Sequence, residues 1–325
     1  MINYSELKEK QSYAFNYVIP ALVEQNYISK AEHIASCGHW KEIAHCQDCG
    51  TNYLSSFNTC KERFCPICEL KRSRLWFTKM VPVVEELLDC NYYLNMVTLT
   101  IPDTESLKEG LKLLFDTWRY LLHDDKISSK EFKKRFIGGI RCLEIKKGAN
   151  SGKWHCHFHC IVAKSEFSRD IDFLINAWSK AYSVVSKNKT DLNVDIRPFK
   201  YKNRNDLLKN VLECCKYVSK FEWHIDKDVA ELLDSMKGIR SVSTWGLIKA
   251  MIKEDSIEYL MDKSLSEVDN LVCSVCGSSK FDFLEGPAVQ KLSIRDFDKE
   301  QLDNIKVEDM LNGKERYCKI AKNKK

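Results

Sequence analysis

The stretch that most constrains this chain is Lys153-Trp154-His155-Cys156-His157-Phe158-His159-Cys160-Ile161-Val162-Ala163. Three of the eight histidines fall there at alternate positions, and successive strand side chains point to opposite faces, so His155, His157 and His159 share one face of a strand. The other face carries Trp154, Cys156, Phe158 and Cys160, which can bury against helices while Ile161-Val162-Ala163 carries the strand into a core. One polar face and one apolar face make this a strand that builds a site on a packed sheet.

Lys146 to Gly152, with two glycines, an Asn and a Ser, reads as a turn, and Ile137-Gly138-Gly139-Ile140-Arg141-Cys142-Leu143-Glu144-Ile145 before it reads as a second strand. The two strands form a hairpin that brings Glu144 within reach of His157 and His159. Two imidazoles and a carboxylate suit a divalent cation, Mn2+, Mg2+ with weaker preference, or Zn2+, with coordination positions left for a substrate phosphate oxygen. His157 and His159 are the expected ligands, with Glu144 or His155 completing the set.

The second metal-binding signal is in the cysteines. Fifteen of them in a chain with no secretory signal or membrane-length apolar run argue for an intracellular, cytoplasmic protein that binds metal through thiolates rather than a disulfide scaffold. Cys46/Cys49 and Cys65/Cys68 are CxxC pairs separated by fifteen residues, the spacing of a four-thiolate structural zinc site. Cys37, His39 and Cys60 are spare ligands, so either a second zinc binds or the four are drawn differently. Cys273-Ser274-Val275-Cys276-Gly277 is a third CxxC turn, for which only Cys318 is an obvious partner.

The balance of 51 Lys+Arg against 46 Asp+Glu is too even to argue nucleic-acid binding by itself, so the argument rests on clusters. Basic runs stand at Lys71-Arg72-Ser73-Arg74, Lys133-Lys134-Arg135, Arg197 to Arg204 and Lys314 to Lys325. Arg72 and Arg74, at the start of an amphipathic helix over 69–88, are candidate DNA contacts.

In chain order, residues 1–36 read as helical and the cysteine segment follows. Then come a strand over 92–101 stopped by Pro102, an amphipathic helix over 104–123, the hairpin, a helix over 168–185, a strand over 192–199 and a helix over 205–220. The order β-α-β-β-α-β-α predicts an α+β fold with a ferredoxin-like antiparallel sheet and helices packed on it. The expected domains are 1–90 (N-terminal helix, zinc-binding cysteine module and linking helix), 91–225 (the sheet domain) and 226–325, a helical C-terminal region with the further CxxC. Within that last region, Lys237 to Gly246 reads as a loop or short strand.

The helix after the last strand of the sheet carries Glu213-Cys214-Cys215-Lys216-Tyr217-Val218-Ser219-Lys220. Glu213 and Tyr217 stand four apart and project from one helical face. A tyrosine can attack phosphorus, and Glu213 can take a proton from a water or hydroxyl. Lys216 and Lys220 can hold neighbouring phosphates.

Taken together, these residues resemble the rolling-circle replication initiators of small bacterial plasmids, within the HUH endonucleases, over roughly residues 37 to 246. His157-Phe158-His159, preceded by His155, looks like the metal-binding pair in its HxHFH form. Val97-Thr98-Leu99-Thr100 resembles the first motif, and Tyr217 with Glu213 four residues before it matches the nicking tyrosine and its carboxylate. Cys60-Lys61-Glu62-Arg63-Phe64-Cys65-Pro66-Ile67-Cys68 is similar to the cysteine segment that precedes the endonuclease in these initiators. The resemblance implies binding at a double-strand origin, metal-dependent cleavage of one strand as single-stranded DNA, a covalent 5′-phosphotyrosine and a free 3′-OH, with a host helicase and DNA polymerase as partners. An HUH transposase is the nearest alternative, but many of these use two tyrosines on one helix face, and here Phe221 stands where the second would be. A non-catalytic zinc-dependent DNA-binding regulator is the alternative from another class. Neither the oligomeric state nor the origin sequence is legible.

Overall fold

The computed structural model describes residues 2–123, 127–166, 170–199, 202–215, 228–252, 260–261, 273 and 275–285. The chain is α+β and divides into two compact units. One comprises Met1–Leu75, Trp223–Val229 and Ile257–Lys325, and the other comprises Trp76–Glu222 and Ala230–Ser256.

The first unit opens with a short strand β1 (Ile2–Asn3) and the helices α1 (Tyr4–Tyr13), α2 (Ile19–Glu24) and α3 (Ile28–Ala35), with one π-helical turn at Ala14–Val18. Leu7, Ala14, Val18, Ile19, Leu22, Ala31 and Ile34 are buried, the helical spacing expected for residues 1–36. The cysteine segment then forms an unforeseen hairpin, β2 (Lys41–Cys46) and β3 (Asn52–Phe57), which pair antiparallel. Helix α4 (Pro66–Asp89) follows and ends within the second unit.

The second unit holds β4 (Tyr93–Thr100), α5 (Leu107–His123), α6 (Ile127–Arg135), β5 (Gly138–Lys147), β6 (Trp154–Lys164), α7 (Ile171–Ser186), β7 (Val194–Pro198), α8 (Arg204–Cys215), α9 (Val229–Ser235), β8 (Val242–Trp245) and α10 (Gly246–Met251). The strands form one antiparallel sheet in the order β7-β4-β6-β5-β8. Its first four positions give the ferredoxin-like order, with β4 and β6 central and the outer strands β5 and β7 reached by crossovers through α5 and α7. The fifth strand, β8, pairs with β5, and Ala230–Ser256 groups with the sheet unit. Gly139 makes that pairing possible, because a Cβ there would lie 2.2 Å from the Trp245 ring.

Helix α5 begins at Leu107, later than its periodicity predicts, because Thr104 is held by an isolated bridge to Trp154 and the Leu107 N–H donates to the Glu231 carboxylate at 2.7 Å. It packs on α7 and β6. On this side of the sheet the Phe158 ring lies edge-on to Phe115 at 5.2 Å and Trp118 at 5.6 Å, and the Arg141 guanidinium sits 4.6 Å from the Phe158 centroid. The apolar face of the histidine strand is therefore the core face, as its alternation predicts.

The last element, β9 (Phe281–Glu285), belongs to the first unit and pairs antiparallel with β2, giving a four-stranded sheet in the order β1-β3-β2-β9. The expected helix to residue 220 is described only to Cys215. Lys216, Tyr217, Ser219, Lys220, Phe221, Cys318 and the run Lys314 to Lys325 lie outside the described residues.

Candidate metal centres and the family

The hairpin register sets the geometry of the sheet site. Glu144 is directly opposite His157, and Cys142 directly opposite His159, so all four side chains share the face away from α5. Gly148 accepts from Gly152 and donates to Lys153 within the connecting turn, and Gly152 takes a φ of +64° that favours glycine. Glu144 Oε2 lies 2.6 Å from His157 Nε2 and 2.9 Å from His159 Nε2, and the two Nε2 atoms are 2.9 Å apart.

These three atoms make a nearly equilateral triangle. Ligands at about 2.1 Å from an ion in mutually cis octahedral positions stand about 3.0 Å apart, whereas tetrahedral positions at the same bond length open to about 3.4 Å. The observed edges lie nearer the first value, and the three donors are close enough to share one ion. The donors fit as well. Glu144 and His157 are each only 3% exposed, a burial at which a carboxylate and two facing ring nitrogens call for a cation. Burial pushes the Glu144 carboxyl up, but the bonds to His157 and His159 outweigh it and hold the group well below the usual carboxylate range. Burial is also the main cause that lowers His157, keeping that ring neutral and its nitrogen available to an ion.

Thr98, from the segment Val97-Thr98-Leu99-Thr100, is directly opposite His159 across β4 and β6, and its hydroxyl lies 3.2 Å from His159 Nδ1. It orients the ring by its second nitrogen, a support typical of ligating histidines. His155 does not join the ligands. Its Nδ1 is 2.6 Å from Asp103 Oδ1, and Asp103 also accepts from the Ser151 hydroxyl, so the residues just after β4 draw this ring away. Of the two residues expected to complete the set, Glu144 converges and His155 does not. Asp103 was not singled out by the sequence, although its place directly after Pro102 was a signal that it flanks the strand end.

Helix α8 covers the same face. Cys214 Sγ lies 4.0 Å from Cys142 Sγ, and Cys142 is His159's register partner. Cys214 and Cys215 are buried while Glu213 is exposed, so the helix turns its cysteines to the sheet and Glu213 outward. Tyr217 lies two residues past the end of the described helix.

Among the described residues the cysteines of the first unit form two groups of four, and the sets are drawn differently from the pairing of Cys46/Cys49 with Cys65/Cys68. Cys37, Cys60, Cys65 and Cys68 converge, with Cys68 Sγ 3.6 Å from both Cys37 Sγ and Cys60 Sγ. Four thiolates at about 2.3 Å from one tetrahedral Zn2+ stand about 3.8 Å apart, and the spacing fits such an ion. Backbone N–H groups of Cys60 and Cys68 point at the sulfurs of Cys37 and Cys65, the charge-stabilising arrangement of a thiolate site. Cys46 and Cys49 do not share an ion with Cys65 and Cys68. They close on Cys273 and Cys276 instead, because β9 runs antiparallel beside β2 and brings the third CxxC turn to the end of β2. Sequence spacing could not reveal a partner more than two hundred residues away. His39 belongs to neither group.

The basic run at 71–74 is turned inward. Lys71 is 1% exposed with its ammonium 5.3 Å from the Phe57 ring, and the Arg72 guanidinium donates to the carbonyls of Lys61 and Glu62 at 2.8 and 3.3 Å. Arg72 thus holds the Cys60–Cys65 loop, and Arg74 is half-buried.

A family model described as Replication protein matches residues 51–274. Among curated relatives, a Protein rep from Bacillus sp is 26% identical over 275 residues, spanning 74% of this chain and 86% of that protein. A Protein rep from Lentilactobacillus hilgardii is 27% identical over 259 residues, with 74% and 80% covered, and one from Lactiplantibacillus plantarum is 24% identical over 246 residues, with 70% and 74% covered. No solved structure matches the chain. The matched span takes in β3, the whole five-stranded sheet with its Glu144, His157 and His159 triangle, and α8, and the chain is a member of the Replication protein family, the plasmid replication initiator Rep proteins.

Proposed function

We propose that the protein binds the double-strand origin of a plasmid and nicks one strand there, using Tyr217 as the nucleophile and the Glu144, His157 and His159 triangle as the metal-binding part of the site. The observation that carries the reading is that triangle, on the sheet face that α8 covers, in a chain of the Rep family. A divalent cation held there, Mn2+ or Mg2+, supplies Lewis-acid stabilisation of the charge that builds on a phosphate in transit.

The chain's own residues supply the rest. Thr98 fixes the His159 ring so that Nε2 faces the site, and the buried Glu144 carboxylate gives the pocket its negative charge. Tyr217 attacks the scissile phosphorus through its phenolic oxygen, the 3′-oxygen leaves, and the bond energy is kept in a 5′-phosphotyrosine. Lys216 and Lys220 hold flanking phosphates. A water later hydrolyses the linkage at termination. The freed 3′-OH is a primer for a host DNA polymerase, and a host helicase opens the duplex ahead of it. Zinc in the cysteine module serves as structure.

The test uses a single-stranded oligonucleotide taken from a hairpin-forming origin sequence and labelled at both ends, so that the 5′ label reports the cut product and the 3′ label the adduct. With Mn2+ the protein yields a cut product and a covalent adduct that survives denaturing electrophoresis. Tyr217→Phe abolishes the adduct and His159→Ala abolishes cutting, while duplex binding by both persists. Cutting that persists undiminished in Tyr217→Phe defeats the proposal.

A further inference from the structure

We propose that Cys46, Cys49, Cys273 and Cys276 form a second four-thiolate site, for a soft divalent ion such as Zn2+, which staples the N-terminal cysteine module to a segment beyond the sheet unit.

Four sulfurs from two segments meet within 4.8 Å of one another, with Cys46 Sγ 3.5 Å from Cys276 Sγ and Cys49 Sγ 3.4 Å from Cys273 Sγ. These contacts join residues 230 and 224 positions apart. The spacing is close to the about 3.8 Å that tetrahedral thiolates require.

The two turns are also the same structure built twice. In the first, the Gly50 N–H donates to the Cys46 carbonyl at 2.8 Å and the Cys46 N–H to the Thr51 carbonyl at 2.9 Å. In the second, the Gly277 N–H donates to the Cys273 carbonyl at 2.9 Å and the Cys273 N–H to the Ser278 carbonyl at 2.8 Å. Gly50 and Gly277 take φ values of +73° and +75°, a region where a residue with a Cβ is strained. Each turn thus directs its two sulfurs inward from one tight bend, and the two bends face each other because β2 and β9 are antiparallel neighbours. The Gln47 N–H donates to the Lys280 carbonyl across the pair, and the Gln47 side chain to Asp282 at 2.7 Å. Twin metal knuckles on adjacent strands constitute a ribbon, and a ribbon this small needs its ion to hold the turns together.

The ion also differs in setting from its neighbour. Cys37, Cys65 and Cys68 are buried and Cys60 half-buried, whereas Cys49 and Cys276 are exposed at the rim of the second site. Ligand exchange and thiol chemistry reach an exposed sulfur first, so the second ion is the exchangeable one.

Cobalt substitution of the full chain tests both statements. A tetrahedral Co2+ on thiolates gives sulfur-to-metal charge-transfer bands that an ion on Glu144, His157 and His159 does not give, so the count of thiolate-bound ions is read apart from the sheet site. The wild type should take two such ions, and Cys49→Ser with Cys276→Ser should remove one and leave the other. A wild type that saturates at one thiolate-bound ion overturns the site without recourse to any variant, as does a double variant that still takes two. With excess chelator and iodoacetamide, mass mapping should find Cys49 and Cys276 alkylated before Cys60, Cys65 and Cys68. The reverse order overturns the assignment of the second ion as the exchangeable one.

Discussion

Replacing Thr98 by Val isolates what the segment Val97-Thr98-Leu99-Thr100 contributes to the metal site. The substitution keeps the β-branched shape and the strand preference while removing the hydroxyl that stands 3.2 Å from His159 Nδ1. Two effects compete. As an ordinary hydrogen bond, the contact is worth about 1 kcal/mol of stability, visible as a modest fall in Tm. As the support that keeps the Nδ1 proton away from Nε2 and the ring aimed at Glu144, its loss costs about 10–100-fold in metal affinity. That range is about 1.4–2.7 kcal/mol, so the second effect exceeds the first. The ring has little freedom to compensate, because His159 is register-locked opposite Thr98 and its side chain is 13% exposed. Titration of the metal-free protein with Mn2+, following the free-ion resonance, gives the affinity, and a thermal melt of the same samples gives the stability. A Mn2+ affinity within about twofold of wild type would refute the reasoning and reduce Thr98 to a strand residue.

Glu144→Gln keeps the size of the side chain and removes the only carboxylate in the triangle, so Mn2+ binding should fall by about 10-fold or more, and a calorimetric titration that finds wild-type affinity excludes Glu144 as a ligand. Phe158→Ala empties the ring site between Phe115, Trp118 and Arg141 and should cost about 3–5 kcal/mol in chemical denaturation, without moving a ligand; a loss well below about 1 kcal/mol would mean that this face is not the core. Burial pushes the Cys37 and Cys65 thiols well above their ordinary value. A raised folded value gives stability that is full below the unfolded pKa of about 8.5 and is lost as pH rises through the folded one. The metal-free cysteine module should therefore weaken above about pH 8.5, while the zinc-loaded module holds, and melts across that range with and without zinc check it; parallel curves would show that these thiols do not titrate with folding.

The sheet was legible because its signals are local. Alternation in Trp154 to Cys160 fixed which face met the helices, Gly148 to Gly152 marked the hairpin, and Pro102 marked the end of β4. Strand β8 was legible only as one of two readings of Lys237 to Gly246, because four residues with one Trp carry little pattern, and its pairing depends on Gly138 and Gly139 leaving room for Trp245, a fact about β5 rather than β8. Strands β2, β3 and β9 were missed for a related reason. They are held by turns and, as proposed, by metal, so they need little apolar alternation of their own. His155 was offered as a ligand because period-two logic treats alternate side chains as equivalent, and it is Asp103 from outside the strand that breaks the equivalence.

The same contrast explains how basic residues misled. A run such as Lys71-Arg72-Ser73-Arg74 is read as a solvated or DNA-facing surface because burying a cation is costly. The cysteine loop reverses that expectation. Carbonyls of Lys61 and Glu62 accept from Arg72, the Phe57 ring receives the Lys71 ammonium, and the Arg72 charge helps to lower the nearby Cys68 thiol, after the larger effect of hydrogen bonds from Cys37, Cys60 and Cys65. A four-thiolate zinc carries two net negative charges, and buried cations beside it offset that charge. Basic residues within the first turns of a helix opened by a CxxC pair thus belong to the metal's electrostatics before they belong to a nucleic-acid surface. For this chain, the proposed phosphate contacts are Lys216 and Lys220, beside the proposed nucleophile Tyr217, while Arg72 is engaged by carbonyls of the cysteine loop.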